Sequence, residues 1–256
     1  SIAGGSYAAN IAKAKGLKKW ATCSPDYAYG RDTTAEFVTY LKHFAPDVEI
    51  ISENWPKLFQ PDYTETVTKI LQAKPQALYS ALWGGDLTSY IDQANIYAMF
   101  TQMEVFAVNM ADYTALTVVK NLPKGIHSGN RYIKTYPATA ENAAWGDAYK
   151  AKYKEYPTNW SWQNATAVMF LNEAAKKANS TDGKKLAEVL TGLTIKCPFG
   201  ADGTVTMRGE DRTLVGYAIG WGTTIPTEPY VPDVKSGDWK QIFALEAEWK
   251  KSKGYT

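Results

Sequence analysis

The stretch Leu17–Phe44, LKKWATCSPDYAYGRDTTAEFVTYLKHF, decides the fold. Leu17–Cys23 reads as a short buried strand, and Ser24-Pro25-Asp26 breaks it at its carboxyl end. Beyond the break, Phe37, Val38, Leu41 and Phe44 recur at helical spacing, so Gly30–Phe44 is expected to lay one apolar face on a sheet. A strand, a turn rich in Tyr and Asp, and a helix thus make one βα unit.

The same unit repeats downstream. Val48–Trp55 reads as a second strand, and Asp62 followed by Glu65 suggests a capping box opening a helix Tyr63–Lys74 that stops at Pro75. Ala77–Leu82 is a third strand, Gly84-Gly85 turns the chain, and Asp86 is expected to cap a helix to about Met99. Val105–Val108, a short helix Asp112–Lys120 and a strand Ile126–Tyr132 continue the pattern. Strands joined by single helices indicate an α/β fold with a parallel sheet and right-handed crossovers. After Pro137 the character changes to three helices, Ala138–Tyr153, Trp162–Ala178 and Gly183–Leu193. Strands Gly203–Met207 and Thr213–Trp221 follow about the turn Arg208–Asp211, then a Pro-rich loop to Pro232 and an amphipathic helix marked by Trp239, Ile242, Phe243 and Trp249.

Composition narrows the function. The 256 residues carry 28 Lys+Arg against 26 Asp+Glu, a balance that offers no field for nucleic acid or an anionic membrane. The expected partner is therefore a small molecule. No stretch approaches the roughly 18 apolar residues of a membrane span. Cys23 and Cys197 form no motif and are expected as unpaired buried thiols; His43 and His127 lack ligand spacing and are expected on the surface or a helix face. No nucleophile elbow, dinucleotide fingerprint, P-loop or zinc-protease motif occurs, so no catalytic residue, metal or cofactor is assigned. The informative residues are aromatic: 9 Trp, 17 Tyr and 8 Phe. In an open parallel sheet, ligands bind outside the carboxyl ends of the strands. Tyr27 and Tyr29 follow the first strand, Trp83 and Asp86 the third, and Asn109 and Asp112 the fourth. Each has a packing or capping explanation alone; together they mark a cleft.

Pro25-Asp26-Tyr27-Ala28-Tyr29-Gly30, Pro61-Asp62-Tyr63-Thr64, Trp83-Gly84-Gly85-Asp86, Pro123-Lys124-Gly125, Pro198-Phe199-Gly200 and Val205-Thr206-Met207-Arg208 occur in an order that resembles the leucine/isoleucine/valine-binding type of solute-binding protein. Proteins of that family are the extracytoplasmic receptors of ABC importers. The resemblance implies a type I periplasmic-binding-protein fold: two Rossmann-like lobes with parallel sheets that close on a ligand. One lobe is expected over residues 1–133, completed by about 214–256, and part of the other over 134–213. Family members begin with a further βαβα stretch, so the second lobe is expected to be incomplete in this chain, leaving Val168, Leu171 and Ala175 as an apolar face through which it associates.

By position, the resemblance places Tyr29 and Trp83 on the cleft wall and Trp160 as an aromatic lid, with Trp162 and Gln163 beside it. Where amino-acid-binding members hold a carboxylate against the ligand's ammonium, this sequence has Asn109, with Asp112 nearby. That substitution favours an organic or aromatic acid or an amide over a simple amino acid. The implied activity is capture of a small organic solute in the periplasm or another extracytoplasmic space, and delivery to the membrane permease subunits of an ABC importer. A ligand-sensing domain of a signalling receptor is the alternative on the same fold.

Overall fold

The computed structural model describes residues 1–130 and 132–255. The chain forms two compact units, Ser1–Asn130 with Gly220–Thr256, and Arg131–Ile219.

The first unit runs α1 (Ile2–Lys15), β1 (Lys19–Cys23), α2 (Ala28–Phe44), β2 (Glu49–Asn54), α3 (Thr64–Ala73), β3 (Ala77–Ser80), α4 (Gly84–Ile96), β4 (Glu104–Ala107), α5 (Tyr113–Leu116) and β5 (His127–Gly129). In the second unit follow α6 (Ala140–Tyr153), α7 (Asn159–Ala178), α8 (Gly183–Leu190), β6 (Thr194–Lys196), β7 (Thr204–Met207) and β8 (Leu214–Val215). The chain then returns to the first unit with β9 (Gly220–Thr223), β10 (Lys235–Ser236) and α9 (Trp239–Ser252).

The first unit's sheet has the order β10-β9-β5-β4-β3-β1-β2. Strands β1 to β5 are parallel, as the βα alternation requires, and β9 and β10 add antiparallel to β5 and to each other. Trp20, Phe37, Leu41, Tyr79, Phe106 and Trp221 build the core on one face. The Phe37 and Tyr79 rings stack with centroids 3.8 Å apart, and Trp20 lies 4.9 Å from Phe106.

Helix α1 has no large apolar stripe, because its buried face is made of Ala3, Gly4, Gly5, Ala8, Ala9 and Ala12. The small residues let it lie close to α2: a Cβ on Gly5 would fall 2.6 Å from Tyr40 Cβ and 2.9 Å from the Leu41 nitrogen. A helix packed this closely gains its stability from backbone proximity and not from bulky side chains.

Tyr7 of α1 reaches a histidine that is interior, not on the surface as its spacing suggested. His127 is buried, stacked 4.4 Å from Phe106, with Nδ1 2.9 Å from the Tyr7 hydroxyl and Nε2 2.9 Å from a Glu104 oxygen. A carboxylate only accepts, so Nε2 carries the hydrogen and Nδ1 accepts from Tyr7. Lys15 bonds the other Glu104 oxygen. Burial lowers the His127 pKa and outweighs the pull of Glu104 and Asp233, with Lys15 acting in the lowering direction. Burial, helped by Asp233 and Glu104, pushes Tyr7 up to about 12. The folded protein therefore binds less proton at His127 than the unfolded chain does. This contribution to stability is complete above the unfolded value near ~6.5 and is lost as pH falls toward the lower folded value. Thermal melts should show the midpoint falling on acidification below about pH 6.5, with part of that slope removed in His127→Gln; identical slopes in the two proteins would disprove the assignment.

The second unit's sheet is antiparallel, in the order β6-β7-β8. Phe170, Ala174, Leu193, Ile195, Phe199 and Val205 are buried in this unit. The single strand expected over Thr213–Trp221 is two strands. Leu214–Val215 pairs with β7, Gly216 turns the chain at φ +82°, and Gly220–Thr223 pairs with β5 in the other unit. No residue of α8 is buried, and α7 exposes Trp160, Val168 and Leu171.

The two expected caps also differ. Asp62 lies outside α3 and accepts from the Thr64 N–H at 2.7 Å, so it forms a turn before the helix and no reciprocal box with Glu65. Asp86 lies inside the first turn of α4, whose N-cap is Trp83. Cys23 and Cys197 are both buried and unpaired, and burial pushes both thiols up, which makes them unreactive.

Candidate functional site at the carboxyl ends of the first sheet

In the first sheet, β1 stands between β2 and β3, and the chain's direction of winding reverses between β1 and β3. Such a reversal sends the two following loops apart and leaves a crevice. Here the loops after β1 and β3 are pinned beneath that crevice by Ser24. Its fully buried hydroxyl oxygen accepts from Thr34 Oγ1 at 2.8 Å and from the Ala81 N–H at 3.1 Å.

Above Ser24 the chain enters α2 with Tyr27 extended at the N-cap and Tyr29 in the first turn. It enters α4 with Trp83 extended at the N-cap, and the indole stays 40% exposed. Trp83 Nε1–H donates to the Tyr27 hydroxyl at 2.9 Å, so one side-chain bond spans the crevice. The Tyr27 and Tyr29 rings are 5.9 Å apart. Tyr27's own hydroxyl hydrogen has no acceptor among the described residues and is available to a ligand oxygen.

Asn109, just past β4, is buried and draws the three loops together. Its Nδ2 lies 2.9 Å from the Tyr29 hydroxyl, 3.2 Å from the Ala81 carbonyl and 3.1 Å from the Leu82 carbonyl, while Tyr29 donates to Oδ1 at 3.3 Å. The amide is consumed in holding Tyr29 and the β3 loop in place. Asp112 is buried at the N-cap of α5, accepting from the Thr114 N–H at 2.9 Å and its hydroxyl at 2.7 Å. Asp26, on the rim, pairs with Arg31 at 2.6 Å.

Three of the positions singled out in the sequence lie at the start of α7 in the second unit. Trp160 is 61% exposed and Gln163 is exposed. Trp162 points inward: it is buried, donates Nε1–H to Asn159 Oδ1 at 3.1 Å, and packs 5.7 Å from the Phe199 ring and 5.6 Å from Tyr217. Among the described residues, no group of three or more His, Cys, Asp or Glu is placed to hold a metal ion, and no helix is long and apolar enough to cross a membrane.

A family profile described as periplasmic binding protein matches residues 1–219. The chain belongs to the periplasmic binding protein family. Solved structures give the same fold. The solute-binding protein of an ABC transporter from Rhodopseudomonas palustris BisB5, in complex with 3,4-dihydroxybenzoic acid, superposes with a TM-score of 0.80 at 22% identity, over 93% of this chain and 63% of that one. An amino acid ABC transporter substrate-binding protein from Pseudomonas fluorescens Pf-5 gives 0.78 at 18%, over 92% and 63%. The closed leucine-, isoleucine-, valine-, threonine- and alanine-binding protein from Brucella ovis gives 0.72 at 15%, over 93% and 60%. This periplasmic binding protein thus spans less than two thirds of each of these relatives. A search of curated proteins by sequence returned no significant match.

For two residues of the binding protein's crevice, the sequence pattern gave the position but not the partner. Tyr27 accepts from the Trp83 Nε1–H, a contact across 56 positions that its place in the aromatic turn Tyr27-Ala28-Tyr29 does not show. Asp86 accepts the Phe59 N–H with both oxygens at 3.1 Å, a contact across 27 positions that the capping pattern of Trp83-Gly84-Gly85-Asp86 conceals.

Proposed function

We propose that this protein captures a small organic solute at the carboxyl ends of the first sheet and delivers it to the permease subunits of an ABC importer, working in the periplasm or another extracytoplasmic space. The observation that carries the reading is the Trp83–Tyr27 bond across the β1/β3 crevice, which presents an aromatic wall and a free hydroxyl hydrogen at the place where this topology binds ligands. On the second unit, Trp160 and Gln163 stand exposed at the start of α7, with Trp162 packed inside that unit.

The solute is an aromatic or other organic acid in preference to a simple amino acid. An α-ammonium requires a carboxylate partner, and each carboxylate by the crevice is already engaged, Asp26 with Arg31, Asp86 with the Phe59 N–H and Asp112 at the cap of α5. Asn109 is neutral and committed to carbonyl oxygens. The Rhodopseudomonas relatives solved with dihydroxybenzoate and with benzoate support this choice. The mode of action is binding and lobe closure without covalent chemistry. The exposed α7 face carrying Val168 and Leu171 is covered in the working protein by a further layer, through which the second lobe is completed or associates.

Titration calorimetry with benzoate, 4-hydroxybenzoate and leucine tests the reading. The expected result is one-to-one binding, tighter for the two aromatic acids by about tenfold or more, with the solute recovered unchanged. Preference for leucine, or conversion of a bound acid to product, would overturn it.

A further inference from the structure

Phe59 is an unusual residue for an ordinary loop. Its ring is 78% exposed, and its backbone sits at φ +59°, in the left-handed region that side chains other than Gly, Asn and Asp seldom adopt. A single exposed phenylalanine needs no explanation, but one held in a left-handed conformation by a buried carboxylate does. The anchor is Asp86, a buried carboxylate whose two oxygens both receive the Phe59 N–H at 3.1 Å. Asp86 stands in the first turn of α4, where the helix dipole favours its charge, three residues after Trp83 at the N-cap.

The rest of the segment between β2 and α3 is also tied by polar bonds. The Pro56 carbonyl accepts from the Asp26 N–H at 2.9 Å, joining the loop to the turn that carries Tyr27. Gln93 accepts from the Tyr63 N–H and donates to the Pro61 carbonyl. A cavity of about 340 Å³ also lies against the segment, lined by Trp55, Pro56, Lys57, Gln60 and Pro61 among others. The bond to Asp86 ties the Phe59 backbone to the first turn of α4, three residues past Trp83.

We infer that Phe59 is a specificity-determining residue of the crevice, closing its Trp83 side against the ring of an aromatic ligand, and that Asp86 is the positioning residue that holds it there. The inference rests on the solute-binding role proposed above and adds to it a selector for an aromatic over an aliphatic ligand. An edge or face contact from a third ring adds attraction that a branched aliphatic chain does not receive to the same degree.

The test compares Phe59→Ala, Asp86→Ala, Asp86→Asn and Trp83→Ala in the full chain, by calorimetry with benzoate, 4-hydroxybenzoate and leucine. Phe59→Ala should weaken both aromatic acids by about tenfold and leucine by much less, which compresses the ranking. Asp86→Ala should compress it in the same direction. Asp86→Asn, which keeps one oxygen to accept the Phe59 N–H, should restore most of the preference. The ranking is the decisive readout, because a merely structural role for Asp86 would lower all three affinities together. If Phe59→Ala leaves the ranking intact while Trp83→Ala weakens binding, the role of Phe59 is wrong and the crevice stands. If neither variant changes any affinity, both the selector and the crevice are wrong.

Discussion

Trp83→Ala should lower the affinity for the captured solute by about ten- to hundredfold while moving the melting midpoint by only a few degrees, roughly the effect of ~1 kcal/mol in a protein of this size. The indole is two-fifths exposed and stands at the helix N-cap, so its removal opens the crevice and leaves no closed cavity inside the sheet. Two things disappear together at the crevice: the aromatic face itself and the donor that orients the Tyr27 hydroxyl. Tyr29→Ala should behave differently, because the Tyr29 hydroxyl is part of the Asn109 junction, and its loss should reduce stability as well as affinity. Calorimetry and thermal melts on the two variants separate these effects. Unchanged affinity in Trp83→Ala would remove the residue from the site.

A larger loss of stability is expected at Gly30. A Cβ built there would lie 2.0 Å from the Pro25 carbonyl oxygen and 3.0 Å from its carbon, and both atoms are backbone. Nothing flexible can give way, so the first turn of α2 must move off the strand end. Gly30→Ala should destabilise the fold by about 3 kcal/mol or more, in the range of overpacked interiors, and displace Tyr29 with the turn. Gly85→Ala is the control: no atom comes within 4 Å of its Cβ, φ is not positive, and it opens a helix, so its effect should stay within about 0.5 kcal/mol. Urea midpoints of the two variants measure the contrast, and equal midpoints would show that the close approach at Pro25 relaxes freely.

The strands β1 to β4 and their helices were legible because each pairs a short apolar run with a helix of period 3.6, bounded by Pro, Gly or Asp. The meeting of Tyr27, Tyr29, Trp83 and Asn109 was legible for the same reason, since knowing where strands end tells which loops converge. Helix α1 was not legible: its packing face is alanine and glycine, which leaves no large apolar period to read, although close approach to α2 is what those residues permit. The division of Thr213–Trp221 depends on one left-handed glycine, and a period of two continues across it undisturbed. His127 and Asp86 were misplaced because their partners, Tyr7 and Phe59, lie 120 and 27 positions away, and no local spacing encodes a bond of that kind.

The return of the chain at β9 has a bearing on how the protein is assembled. Asn130 and Gly220 are joined by two bonds, from the Asn130 N–H to the Gly220 carbonyl at 2.9 Å and from the Gly220 N–H to Asn130 Oδ1 at 2.6 Å, across 90 positions. Everything between them is an insertion whose two ends emerge from one point of the first sheet. The five parallel strands are synthesised first, but β9 and β10, with Trp221 stacked on Tyr7, have to wait for the whole insertion to be synthesised. Until then the edge of β5 stays uncovered, an open seam of the kind that recruits chaperones or mispairs between chains. Loop-closure entropy grows only slowly with length, by about 0.6 kcal/mol for each doubling, so the interruption adds little to the equilibrium free energy. Its burden falls on timing, in the interval during which a nearly finished sheet waits for its last two strands.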